Sequence, residues 1–185
     1  MANTYLSRTP STAGNRKTWT FSAWIKTCVP SQNSVLISCN NGYSTGNASG
    51  AFGLRSSGSH FLTYAMNGIT TASGYYGLSM ACRDTSAWYH VVHAMDTTQA
   101  TASDRQKIYV NGILQTDLAF ANYPTLNYEP AFNDGTTFMV GGEASGSYFN
   151  GSMAHVHFID GIALSASPFG ETDATTGIWK PKTAP

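Results

Sequence analysis

Thr18-Trp-Thr-Phe-Ser-Ala-Trp-Ile-Lys-Thr27 decides the fold. Side chains of an extended chain alternate between two faces. Trp19, Phe21, Ala23 and Ile25 therefore share one side, and Thr20, Ser22 and Lys26 the other. Trp24 breaks the polar side and predicts partial cover there. A second signal is Lys107-Ile-Tyr-Val-Asn-Gly-Ile-Leu-Gln115. Its Asn111-Gly112 is the pair preferred where both central residues of a tight hairpin turn need positive φ. Further short alternating runs stand at 3–8, 34–39, 51–56, 60–66, 88–96, 137–142 and 153–159, between Gly, Asn and Ser clusters. With helical periodicity almost absent, they predict an all-β, two-sheet antiparallel sandwich. One short helical turn is expected near the C-terminus, with Ser165 or Ser167 as its cap and Pro168 in its first position. Segments 40–50 and 121–135 read as loops, the second carrying Tyr123, Pro124, Tyr128, Pro130 and Phe132.

With 185 residues, one domain spanning 1–185 is the natural expectation, and roughly 70% of the unfolded surface can be buried. Charged residues are only 11% of the chain, ten basic against ten acidic, with no run of either sign. That balance excludes the electrostatic footprint of a nucleic-acid or membrane-surface binder. The opening Met-Ala-Asn-Thr-Tyr-Leu-Ser-Arg8 has neither a basic nor an apolar signal region, so no signal peptide is expected, and no apolar stretch reaches 18 residues. An odd cysteine count, Cys28, Cys39 and Cys82, argues against a disulfide framework. Cys28 and Cys39 flank a hairpin and suit either pairing or burial as small hydrophobes, with free thiols the favoured reading.

Three sets of residues, taken in order, carry a resemblance. They are Tyr5-Leu-Ser-Arg-Thr-Pro10 leading into Trp19–Lys26; Asp84-Thr-Ser-Ala-Trp-Tyr-His-Val-Val92 with Asp96–Arg105 and Tyr109-Val-Asn-Gly112; and Phe149–Gly161 followed by Phe169–Asp173 and Thr176–Lys182. Together they resemble the laminin-G-like branch of the concanavalin A-like lectin/glucanase superfamily, in the version common in structural proteins of aquatic tailed phages. The resemblance implies a two-sheet jelly roll and, usually, a place on a virion or in a tail fibre, without fixing the job. In such a fold Trp19, Trp24 and Trp88 are expected between two sheets about 10 Å apart.

A glycosidase needs paired carboxylates flanking the scissile bond. Glu129, Glu143 and Glu171 are isolated from one another, so no enzyme activity and no catalytic residue is expected. His155 and His157 share a face if their strand is regular, with Ala154, Val156 and Phe158 inward. No Cys or carboxylate neighbour completes a ligand set, so outward polar positions are the favoured reading. His90 and His93 point to opposite faces. Asp96, Asp104 and Asp134 lie near loops without visible convergence, so no metal or cofactor is assigned.

Tyr43, Tyr64, Tyr75, Tyr76, Tyr123 and Tyr128 lie in or near expected loops, and Tyr75, Tyr76, Tyr123 and Tyr128 are the candidates for contact with a glycan or a protein. Arg8, Arg16, Lys17, Trp179, Lys180 and Lys182 gather near the two ends and are candidate assembly contacts. The expectation is a non-enzymatic phage virion protein, a head decoration or cement protein bound to the major capsid protein or other virion proteins, as a homo-oligomer with a trimer favoured. A body with short tails, made in the host cytoplasm, suits that role. The alternative is a lectin-like tail-fibre adhesin recognising glycans.

Overall fold

The computed structural model describes residues 4–29, 33–39, 50–56, 60–66, 74–144 and 146–182. Tyr43 lies outside them. Strands run in chain order as β1 (Leu6–Arg8), β2 (Thr18–Thr27), β3 (Ser34–Cys39), β4 (Gly50–Ser56), β5 (His60–Met66), β6 (Tyr76–Leu78) and β7 (Tyr89–Asp96). They continue as β8 (Gln106–Val110), β9 (Ile113–Leu114), β10 (Leu118–Ala121), β11 (Phe138–Val140), β12 (Gly151–Asp160), β13 (Gly170–Thr172) and β14 (Trp179–Pro181). A seven-stranded sheet ordered β1-β11-β3-β4-β5-β6-β10 faces a five-stranded sheet ordered β12-β2-β7-β8-β9, and β13-β14 form a separate hairpin. The named strands pair antiparallel throughout. A 3₁₀ turn occupies Ala102–Asp104. At the expected helical turn, Phe169 and Gly170 N–H both donate to Ala166 O, a single turn that goes no further.

The inner face of β2 holds the core together. Trp19, Phe21, Ala23 and Ile25 are fully buried, and they pack with Phe52, Leu54, Tyr76, Leu78 and Phe132 from the other side. His93 lies among them, its ring 5.0 Å from Trp19 and 4.9 Å from Phe52. The loop 121–135 turns inward instead of rimming a site: Phe132 and Ala131 join the core and Pro124 and Pro130 are buried. The β8–β9 hairpin turns at Asn111 and Gly112 with φ of 48° and 85°, as the sequence predicts.

The opposite face of β2 is covered, as Trp24 predicts, and more completely than in part. Thr20 and Ser22, on its polar side, are fully buried. The segment from Ile162 to Lys182 lies over them. Thr20 Oγ1 donates to Ile162 O at 2.7 Å and accepts from Leu164 N–H at 2.8 Å, so the strand hydroxyl ties the cover down. Val92, Ala166 and Phe169 form a second small core there, with Tyr109, Ile159, Leu164 and Trp179 packed against it. Parity separates the tryptophans accordingly. Trp19 is in the inter-sheet core, Trp24 is buried on the outer face, and Trp88 is 41% exposed at that face's edge.

Candidate functional site

Two surfaces carry concentrated chemistry, the strap-covered outer face and an open flank of the sandwich.

On the outer face, β2, β7 and the C-terminal hairpin stack their rings. Trp24 lies 5.0 Å from His90, and His90 lies 5.9 Å from Trp179, both near-parallel. Trp179 Nε1–H donates to His90 Nδ1 at 3.0 Å, so the neutral imidazole carries its proton on Nε2 and donates it to Ser22 Oγ at 2.9 Å. Burial first, then the nearby His155 and His157, push the His90 pKa down to about 4. Trp179 presses on Gly112 and Gly170, where an added Cβ would lie 2.6 Å from the indole. At the edge of this face Trp24, Trp88, Ala154, His155 and Pro181 line a small apolar groove.

The histidine pair sits differently from a regular strand. A bulge between Ala154 and His157 shifts the β12 register, and His155 adopts φ 47°. Ala154 therefore pairs opposite Trp24 on the outer face rather than pointing inward, and Val156 is 40% exposed; Phe158 does reach the core. His157 is half-buried with its ring 5.7 Å from Phe169, while His155 is exposed. No cluster of three metal-ligating side chains occurs among the described residues. Asp96 and Asp134 cap turns through Thr98 and Thr136, and Asp104 pairs with Lys107 at 3.0 Å. The three cysteines are free thiols, Cys28 exposed and Cys39 and Cys82 buried.

The four tyrosine candidates scatter. Tyr76 is a core residue, 3% exposed, and burial and Tyr123 push its hydroxyl pKa well up. Tyr123 and Tyr128 are half-buried against the same core. Tyr75 alone lies apart from that cluster, stacked on Phe120 at 4.1 Å. Of the six assembly candidates, five hold the chain to itself. Arg16 and Lys17 pair with Glu129, and Arg16 also donates to Pro130 O at 2.9 Å. Lys180 pairs with Asp173 and Glu171, Lys182 donates to Ser167 O, and Trp179 joins the ring stack. Arg8 is exposed, with no ion pair among the described residues.

Arg8 borders the open flank, where edge strands β1 and β12 of the two sheets leave a gap. One half is a cavity of about 460 Å³ lined by Arg8, Ser11, Thr12, Asn133, Thr136, Asp160 and the rings of Phe138 and Phe158. The other half is apolar, with Leu6, Val140, Phe149, Met153 and Val156, and the two halves share Phe158. Asp160 Oδ1 accepts from Asn15 N–H at 2.8 Å and from Asn133 Nδ2 at 2.7 Å. Gly14 makes this packing possible, because a Cβ there would collide with the Asn133 amide and Asp160 Oδ2. The sequence shows Asp160 only as the end of an alternating strand; Asn133, on a loop far away in the chain, carries no signal.

Two antiparallel sheets with this order define a concanavalin A-like β-sandwich. The chain belongs to the concanavalin A-like lectin/glucanases superfamily, in its laminin-G-like form, whose family match covers residues 2–167. A search of curated proteins gave no significant match. Among solved structures, the chain is similar to a heptameric SAP-like pentraxin from Limulus polyphemus, at 18% identity and TM-score 0.60, covering 87% of this chain and 71% of that one. It is similar to tailspike protein 2 of an Escherichia coli O157:H7 bacteriophage, at 14% identity and TM-score 0.60, covering 90% of this chain and 22% of that one. It is also similar to the CBM40 module of a Ruminococcus gnavus sialidase, bound to sialyllactose, at 15% identity and TM-score 0.52, covering 88% and 95%. The chain thus spans about a fifth of the tailspike. At these identities the likeness is one of fold.

Proposed function

We propose that the chain is a non-enzymatic structural protein of a tailed-phage virion, a decoration protein on the capsid surface. The placement of the carboxylates carries the non-enzymatic part. Glu129 pairs with Arg16 and Lys17, Glu143 is buried, and Glu171 meets Lys180. Asp96 and Asp104 share a cavity, but Thr98 and Gln99 occupy the first and Lys107 the second. Such committed acids have no free partner with which to divide general acid and nucleophile roles. The ordered sequence blocks support the virion context, and so does the fold likeness to a phage tailspike. Because Arg16, Lys17 and Lys180 hold the chain to itself, the contact with capsid is a folded surface rather than a basic tail.

The second reading is a glycan-recognising tail-fibre adhesin. The mixed pocket on the open flank favours it. Immunogold electron microscopy on intact virions separates the two. Regular labelling over the head is expected; labelling confined to the tail or fibres overturns decoration and promotes the adhesin.

A further inference from the structure

We propose that the polar half of the open flank is a binding site for an acidic sugar, a pyranose bearing a carboxylate. The inference rests on the reading of this pocket as a glycan site and holds for either location on the virion. Ligand pockets combine apolar walls with a few placed polar groups and commonly span about 300–1,000 Å³. This cavity, at about 460 Å³, has that make-up. Its apolar surface is the pair Phe138 and Phe158, rings 5.0 Å apart and edge-on, suited to the C–H face of a sugar ring.

The polar groups are of two kinds. Asp160 is anchored through Oδ1 by two N–H donors, and among the described residues Oδ2 accepts no hydrogen bond. A fixed carboxylate oxygen with spare lone pairs is an acceptor for sugar hydroxyls. Arg8 also lines the cavity, and no carboxylate of the described residues pairs with it. A guanidinium recognises a carboxylate through two parallel N–H bonds, which a neutral sugar cannot return. Asp160 therefore takes sugar hydroxyls and Arg8 the acid.

Three other cavities among the described residues lack this combination. The neighbouring half of the flank is lined mainly by apolar side chains, and the outer-face groove offers only His155 as a titratable group. The pocket over Asp96 and Asp104 already contains Lys107.

The probes are galacturonic acid and galactose, which differ only in the C6 carboxylate. Affinities are measured by NMR titration of the full chain, with circular dichroism and melting to verify that each variant folds. The site predicts galacturonate binding about tenfold tighter than galactose. Arg8→Gln, an exposed change, abolishes that difference while galactose binding persists. Asp160→Asn keeps the Oδ1 acceptor and weakens both sugars. Equal affinities in the unaltered protein, no binding of either sugar, or an Arg8→Gln variant that keeps its preference would each overturn the proposal.

Discussion

The two faces of β2 are both buried, by different means. The inner face is apolar and packs against the facing sheet, with Trp19, Phe21, Ala23 and Ile25 fully covered. The outer face is largely polar, and residues 162–182 cover it through named bonds: Thr20 to Ile162 and Leu164, Ser22 to His90, His90 to Trp179. Apolar burial tolerates imprecision, whereas a buried hydroxyl or imidazole requires its partner in place. The difference explains how an alternating strand with a solvent-facing pattern is closed on both sides.

The largest effect should come from the inner face. Phe21→Ala is expected to cost about 3–5 kcal/mol in chemical denaturation; a loss comparable to a surface change would mean that the inter-sheet core is not the main source of stability. Acid is the next lever, and it compares the faces directly. His90 is pushed down to about 4, and complete burial pushes His93 in the core down to about 3. The unfolded chain protonates these rings near pH 6.5 while the folded chain refuses them. Their contribution is therefore complete above pH 6.5 and falls as pH drops toward 4, by about 3 kcal/mol for His90 alone. His90→Asn should remove about half of that decline between pH 6.5 and 4, leaving the share of His93; an unchanged melting profile over that range would separate His90 from the strap.

Gly112→Ala tests the cover from its other side. Its φ of 85° disfavours any Cβ, and the Trp179 indole occupies the space a methyl would need. A loss of about 2 kcal/mol is expected, and differential scanning calorimetry should place it on a lower melting temperature. Arg16→Ala, which frees Pro130 O and Glu129 at the end of the sandwich, should cost about 1 kcal/mol by urea denaturation. A larger value would assign the N-terminal loop a greater share in holding segment 121–135.

The sandwich was legible wherever short runs rich in apolar residues stood between turn signals. β2, β3, β7 and the Asn111-Gly112 hairpin carry their own signals, since period-two hydrophobicity and turn chemistry are local properties. β6, β10, β13 and β14 are only three or four residues long, too short for periodicity to register. Trp24 did announce cover on the outer face, but Thr20 and Ser22 look like solvent-facing residues because their partners lie some 70 to 140 positions away. The His155 bulge is likewise invisible, since a single inserted residue reverses inside and outside without altering composition. Of the candidate site, Arg8 was visible as an end-lying charge, while Tyr76 reads as a loop contact only until β6 places it in the core. Asp160, Asn133 and Gly14 meet through the fold alone.

The claim that the outer face is sealed for stability and the open flank left for recognition is tested most directly by the tryptophan indole signals. They are followed in a two-dimensional NMR spectrum of the full chain during titration with galacturonic acid. The account predicts shift changes at Arg8, Gly14, Asn133 and Asp160, with the indole N–H signals of Trp24, Trp88 and Trp179 unmoved. Movement of the Trp24 and Trp88 indoles with the flank silent would contradict it and transfer recognition to the outer-face groove.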